Sequence, residues 1–156
     1  MNFHQKFFLI LLSSVCCICL KLDLFANVSA IDNNYNFAIV GDWRCTSDTK
    51  KTVNSIQNTN PELIINLGDL SYKKGPDCWF KIADPIDENM KITLGNHDVL
   101  NSKLLKQYMD HFGLTKQYYS FDYNNIHFVA MSTEVPYLPG SEQYKLLSKD
   151  LEQAEK

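Results

Sequence analysis

The sequence is short of several things, and each shortage excludes something. Lysine and arginine number 15 against 18 acidic residues, a formal charge of -3, so no basic footprint implies nucleic acid as a partner. No internal repeat, low-complexity tract or linker interrupts the chain. Its 156 residues allow one domain with enough chain to bury a core. No uncharged apolar run reaches the roughly 20 residues of a membrane span. The longest, Phe7 to Leu20 behind Lys6, has the length of a signal-peptide core, and small-residue cleavage sites follow at Val28-Ser29-Ala30 and Leu24-Phe25-Ala26.

Residues 1–30 are therefore expected to be a signal peptide and residues 31–156 the folded domain. The expected location is secreted or extracytoplasmic. An uncleaved membrane anchor is the alternative, since Leu22, Leu24 and Phe25 could lengthen the run. Membrane association is expected only through this segment. Cys16, Cys17 and Cys19 lie inside it and read as apolar filler, which leaves Cys45 and Cys78.

What the chain does have is one event repeated three times. Leu63-Ile64-Ile65-Asn66-Leu67 runs into Gly68-Asp69, with Tyr72 three residues on. Phe37-Ala38-Ile39-Val40 runs into Gly41-Asp42, and Met90 to Leu94 runs into Gly95-Asn96-His97-Asp98. Short apolar runs bounded by turn residues suit buried strands. Open α/β sheets bind ligands beyond the carboxyl ends of their strands. If the three strands lie parallel, Asp42, Asp69, Tyr72, Asn96 and His97 converge on one edge. Hard oxygen donors there suit a metal ion.

The connections fit that arrangement. Thr46 or Ser47 can cap a helix to about Asn58, with Asp48 in its first turn. The stretch 73–89 is loop-like, with Trp79, Phe80, Ile82 and Ile86 packing a short helix over the sheet. Leu100, Leu104, Leu105, Tyr108 and Phe112 have helical spacing, with Ser102 as expected cap and Gly113 as stop. Tyr119 to Tyr123 alternates as a strand, Asn124-Asn125 turns, and Ile126 to Ser132 returns antiparallel. Ser141 caps a last helix with a face of Tyr144, Leu147, Leu151 and Ala154.

The spacing Gly-Asp, Gly-Asp-x-x-Tyr, Gly-Asn-His-Asp resembles the calcineurin-like metallophosphoesterases, and within them the purple acid phosphatases. The broader superfamily reads Asp-x-His at the first motif. Here Gly41-Asp42-Trp43-Arg44 has no histidine, and Tyr72 supplies the tyrosine that the purple acid phosphatase pattern uses instead. The resemblance implies an α/β fold, the N-terminal part of a four-layer sandwich of mixed β-sheets flanked by helices. It also implies two metal ions, Fe3+ plus Fe2+, Zn2+ or Mn2+, with Asp69 bridging, Asp42 and Tyr72 on the first and Asn96 on the second. His97 is expected to face a substrate phosphate, with Asp98 orienting its ring. The expected partner is a phosphate ester.

The family's later Val-x-x-His and Gly-His-x-His motifs do not occur in this chain, which reads as a domain incomplete at its C-terminus. His111 and His127 match no family motif. A nucleotidase or phosphodiesterase of the same superfamily is the enzymatic alternative, and an inactive partial gene product the other. Cys45 and Cys78 each sit on a strand-end loop behind a motif, three residues after Asp42 and six after Tyr72. Export permits a disulfide between them, and two free thiols are the alternative.

Overall fold

A computed structural model describes residues 35–154. The expected signal peptide or anchor at 1–30 lies outside the described residues. Among those residues no helix is long and apolar enough to cross a membrane.

Three short strands, β1 (Phe37–Val40), β2 (Leu63–Asn66) and β3 (Met90–Ile92), form a parallel sheet in the order β1-β2-β3. Val40 pairs with Asn66, and Asn66 with Ile92, so all three strands end at one level. Helix α1 (Ser47–Thr59) makes the first crossover. Thr46 rather than Ser47 is its cap, its hydroxyl accepting from the Thr49 amide, and Val53 and Ile56 are buried beneath it. Asn60 stops the helix in the left-handed region, its amide bonding back to Ile56 and Gln57. Helix α2 (Asp77–Ala83) and a 3-10 turn (Asp87–Asn89) make the second crossover.

Helix α3 (Ser102–His111) follows β3, but its cap is Asn101, which accepts from the Leu104 amide at 2.9 Å, not Ser102. Both are favoured cap residues, and the position of Leu104 and Tyr108 against the core decides between them. Trp79 and Tyr108 are fully buried and edge-packed at 6.2 Å, and Trp43 meets Trp79 at the same distance. This aromatic cluster lies beneath the loops that leave β1 and β2.

An antiparallel hairpin, β4 (Tyr119–Tyr123) and β5 (Ile126–Ala130), turns at Asn124 in the left-handed region. Phe37 packs edge-on against both Phe128 and Tyr123, which places the hairpin on the sheet face opposite the helices. The Tyr119 hydroxyl donates to the Ile92 carbonyl at 2.8 Å and accepts from its amide at 3.1 Å. A side chain thus stands in for a neighbouring strand at the free edge of β3.

Helix α4 (Glu142–Ala154) starts where expected, with Ser141 accepting from the Tyr144 amide. Its packed face differs from the apolar one. Tyr144 and Leu151 are exposed and Gln143 is buried. Gln143 holds both backbone groups of Ser132, accepting at 2.8 Å and donating at 2.9 Å, while Asp150 bonds Ser120 and His127. These polar partners fix the helix rotation and leave its apolar stripe outside. The observed architecture is mixed α/β, parallel and antiparallel sheets with four helices, consistent with the N-terminal part of a metallophosphoesterase fold.

Candidate metal centre

The loops leaving β1, β2 and β3 continue to pair after the strands end. The Asp42 amide donates to the Gly68 carbonyl at 3.1 Å, and the Thr93 amide to Asn66 at 2.8 Å. Gly68 takes a φ of 93°, and a side chain on it would strike the backbone of Gly95. A side chain on Gly95 would strike the Asp69 carboxylate. Both glycines are therefore required by close approach, and they bring the second and third motifs into contact.

Five non-glycine residues have positive φ among the described residues: Asp42, Asn60, Asp69, Tyr72 and Asn124. Asn60 ends a helix and Asn124 turns a hairpin, ordinary uses of that conformation. The other three have φ of 54°, 56° and 54°, and for a tyrosine this is an outlier. Such residues cost on the order of 1–3 kcal/mol each and persist where the surroundings over-determine them. Here all three converge. The Tyr72 hydroxyl lies 2.6 Å from Asp42 Oδ1 and 3.2 Å from Asp69 Oδ2.

One phenolic proton faces two carboxylates, so it cannot fully satisfy both. Its hydrogen bond to Asp42 is the main cause that raises the Tyr72 pKa above the ordinary value, followed by burial and the charge of Asp69. Without a cation the phenol therefore stays protonated. A multivalent cation would reverse the balance by replacing the proton as the partner of three oxygens. The donor set fits a hard metal ion. Among the described residues no three histidine, cysteine, aspartate or glutamate side chains come together; the third donor of this cluster is the tyrosine.

The third motif contributes unevenly. The His97 amide donates to Asp69 Oδ1 at 3.1 Å, and its half-buried ring lies 4.1 Å from the Tyr72 ring at 32°. Asn96 is exposed on the same turn. Asp98 is where the sequence reading needs correction. It does not orient the His97 ring. Its fully buried carboxylate accepts from the amides of Asp69 at 2.8 Å, Leu70 at 2.9 Å and Gly95 at 3.0 Å. Burial raises its pKa, and the three amides pull it partly back. Only a carboxylate offers enough lone pairs for three donors, so Asp98 ties the second motif to the third.

Cys45 and Cys78 are joined as a disulfide with Cα atoms 5.8 Å apart, fastening the first-motif loop to α2. The other described histidines are committed elsewhere. His111 pairs with Asp87 at 2.9 Å and stacks on Phe80 at 4.0 Å, while His127 lies between Asp122 and Asp150. From the sequence, Arg44 could touch phosphate from its loop or simply face solvent. Its guanidinium carbon sits 5.0 Å from the Tyr72 ring centre, and an open cleft of about 510 Å3 runs from Asp42 past it to Thr46, Thr49 and Thr52. Its position two residues after a candidate ligand was the available signal.

Comparison with known proteins agrees with the motif spacing. The pattern of the family described as calcineurin-like phosphoesterase matches residues 35–155. Purple acid phosphatase 23 of Arabidopsis thaliana is 25% identical over 78% of this chain and 36% of its own length. Purple acid phosphatase 22 of the same plant is 28% identical over 74% of the chain and 31% of its own length. A third relative from that plant, named probable inactive purple acid phosphatase 9, is 24% identical over 76% of the chain and 25% of its own length. The chain thus spans between a quarter and just over a third of the curated relatives it matches.

Proposed function

From the premise that this chain belongs to the calcineurin-like phosphoesterase family, we propose that it carries metal ligands of an acid phosphatase-like phosphoric ester hydrolase. The observation that carries the reading is the convergence of Asp42, Asp69 and Tyr72, each held at positive φ, on one point. Asp69 would bridge two ions, Asp42 and Tyr72 would hold the first, and Asn96 the second. Ferric iron suits the tyrosinate position, with ferrous iron, zinc or manganese beside it. Such a pair, when bound, lowers the pKa of water and neutralises charge on the phosphoryl oxygens.

The chain's own residues do the rest. Asp98 and the close-packed glycines hold the Asp69 loop in register. The His97 ring makes no side-chain hydrogen bond among the described residues and lies beside Tyr72, where it can bind a phosphoryl oxygen or donate a proton to the leaving group. Export through residues 1–30 is part of the proposal. It is consistent with the Cys45–Cys78 bridge, since disulfides persist in oxidising compartments.

Expression of the full-length protein, with metal content and hydrolysis of a generic phosphomonoester measured for wild type and Asp69→Asn, tests the reading. Two metals and activity in the wild type, both lost in the variant, are expected. Two metals and undiminished hydrolysis in the variant would refute the site. The second reading, an inactive product, draws on the likeness to the relative named probable inactive purple acid phosphatase 9. It predicts no hydrolysis even by metal-loaded wild type.

A further inference from the structure

Resting on the phosphoesterase reading, we propose that Arg44 grips the phosphoryl group at this site and selects phosphomonoesters over diesters. Arg44 follows Asp42 by two residues and lies over the ring of Tyr72, whose hydroxyl touches both carboxylates. The same ring carries His97 on the third motif. Tyr72 is thus a platform that sets a guanidinium and an imidazole beside the donor cluster. No hydrogen bond or ion pair among the described residues uses any of the guanidinium's five N–H donors. Its planar fork therefore remains available for an oxyanion.

Lys91 and Lys116 also lie over aromatic rings without an ion pair, and what distinguishes Arg44 is that its ring is Tyr72, part of the donor cluster. Lys51, Lys106 and Lys145 each pair with a carboxylate three or four residues away on their own helix. None of the ion pairs among the described residues involves Arg44, although Asp42 is two residues away. The Tyr72 ring, not a carboxylate, holds it. It also lines the open cleft of about 510 Å3 that borders Asp42, with Thr46, Asp48, Thr49 and Thr52 on the α1 side. The carboxylates of Asp42 and Asp69 meet at the Tyr72 hydroxyl, so an ester with two negative charges needs positive charge beside them more than one with a single charge.

The preference for monoesters follows from oxygen count. A phosphomonoester presents three non-bridging oxygens and two negative charges, a diester two oxygens and one charge. With two oxygens directed at the carboxylate cluster and its ions, only the monoester retains a third for a donor outside that cluster. Arg44 is that donor. The contact exists in both the bound substrate and the transition state, so its loss raises KM more than it lowers kcat.

The test uses the full-length, metal-loaded protein as wild type, Arg44→Gln and Arg44→Lys. The readouts are kcat and KM for p-nitrophenyl phosphate and for its bis-ester, and the Kd of inorganic phosphate by 31P line broadening. Arg44→Gln should raise the monoester KM and the phosphate Kd about tenfold, as expected for a lost charge-assisted hydrogen bond, with kcat and the thermal midpoint little changed. Arg44→Lys should recover part of the loss, and the bis-ester KM should rise much less than the monoester KM. An unchanged phosphate Kd, or an equal rise for both esters, overturns the proposal. Phosphate binding that depends on Arg44 in a protein without hydrolysis would uphold this inference and remove the phosphatase reading beneath it. A wild type that binds no phosphate removes the inference.

Discussion

Two histidines of this chain each have an aspartate close by, and they have opposite fates. His127 on β5 is bracketed by Asp122 at 2.6 Å on Nδ1 and by Asp150 at 2.8 Å on Nε2. Asp150 also accepts from Ser120, so the imidazole clamps α4 to the hairpin. His97, next to Asp98 in sequence, receives nothing from it, because Asp98 is spent on three backbone amides. The first histidine is saturated and structural. The second keeps an unbonded ring beside a cluster of oxygen donors. Adjacency to a carboxylate therefore says little about what a histidine does. What matters is which lone pairs remain unclaimed once the backbone has been served.

The largest effect should come from Asp98. Replacing it with alanine strands three amide donors in a fully buried place, a loss of about 3 kcal/mol or more. Asp98→Asn should be nearly as damaging, since its amide group opposes donors with donors. Chemical denaturation measures both. A stable Asp98→Asn protein with only reduced turnover would restore the ring-orienting role to this residue.

Next in size is the contrast between the histidines themselves. Under the proposed phosphoesterase function, His97→Asn should lower kcat about 100-fold, the usual worth of a proton-transfer or phosphate-binding group, with an unchanged melting temperature. His127→Asn should lower the melting temperature and leave kcat alone. If the two substitutions had interchangeable effects, the distinction would fail.

A smaller effect concerns pH. Both partners of His127 accept hydrogen bonds, and only the imidazolium has two N–H donors to give. Its pKa is raised above 6.5, chiefly by the bond to Asp150 and then by that to Asp122, against a smaller lowering by burial. The Asp150 pKa is lowered from 3.8, chiefly by His127. A raised histidine contributes stability that is complete below its unfolded pKa and lost as pH rises through the folded one. The lowered aspartate contributes above its unfolded pKa and fails in stronger acid. The clamp is thus tightest between about pH 4 and 6.5. Wild type should melt a few degrees lower at pH 8.5 than at pH 6, relative to His127→Asn measured under the same conditions. Parallel pH profiles for the two proteins would place the clamp outside the stability of the fold.

The same contrast explains what was legible in the sequence. The strands, the Ser141 cap, the Thr46 cap (one of the two expected) and the hairpin turn follow from local rules, although β2, β3 and β5 end at Asn66, Ile92 and Ala130, short of the expected runs. The donors at the three strand ends were legible because each follows a glycine that closes an apolar run. Asp98 was misread because its partners, Asp69 and Leu70, lie 29 and 28 residues away and contribute backbone rather than side chains. The buried face of α4 was hidden for a related reason. Gln143 and Asp150 are polar, and only tertiary partners reveal that they face inward. Tyr119 reads as an ordinary strand residue until its hydroxyl is found on the edge of β3. Local pattern thus points to the candidate residues, and long-range hydrogen bonds show which of them meet.

The central claim is that Tyr72, held at a φ of 54° against Asp42 and Asp69, is there to bind a metal as phenolate. Visible absorption of the iron-loaded full-length protein, wild type against Tyr72→Phe, tests it most directly. The account predicts a charge-transfer band in the wild type that disappears in the variant. A band that survives the substitution, or iron-loaded wild type with no band at all, would contradict it.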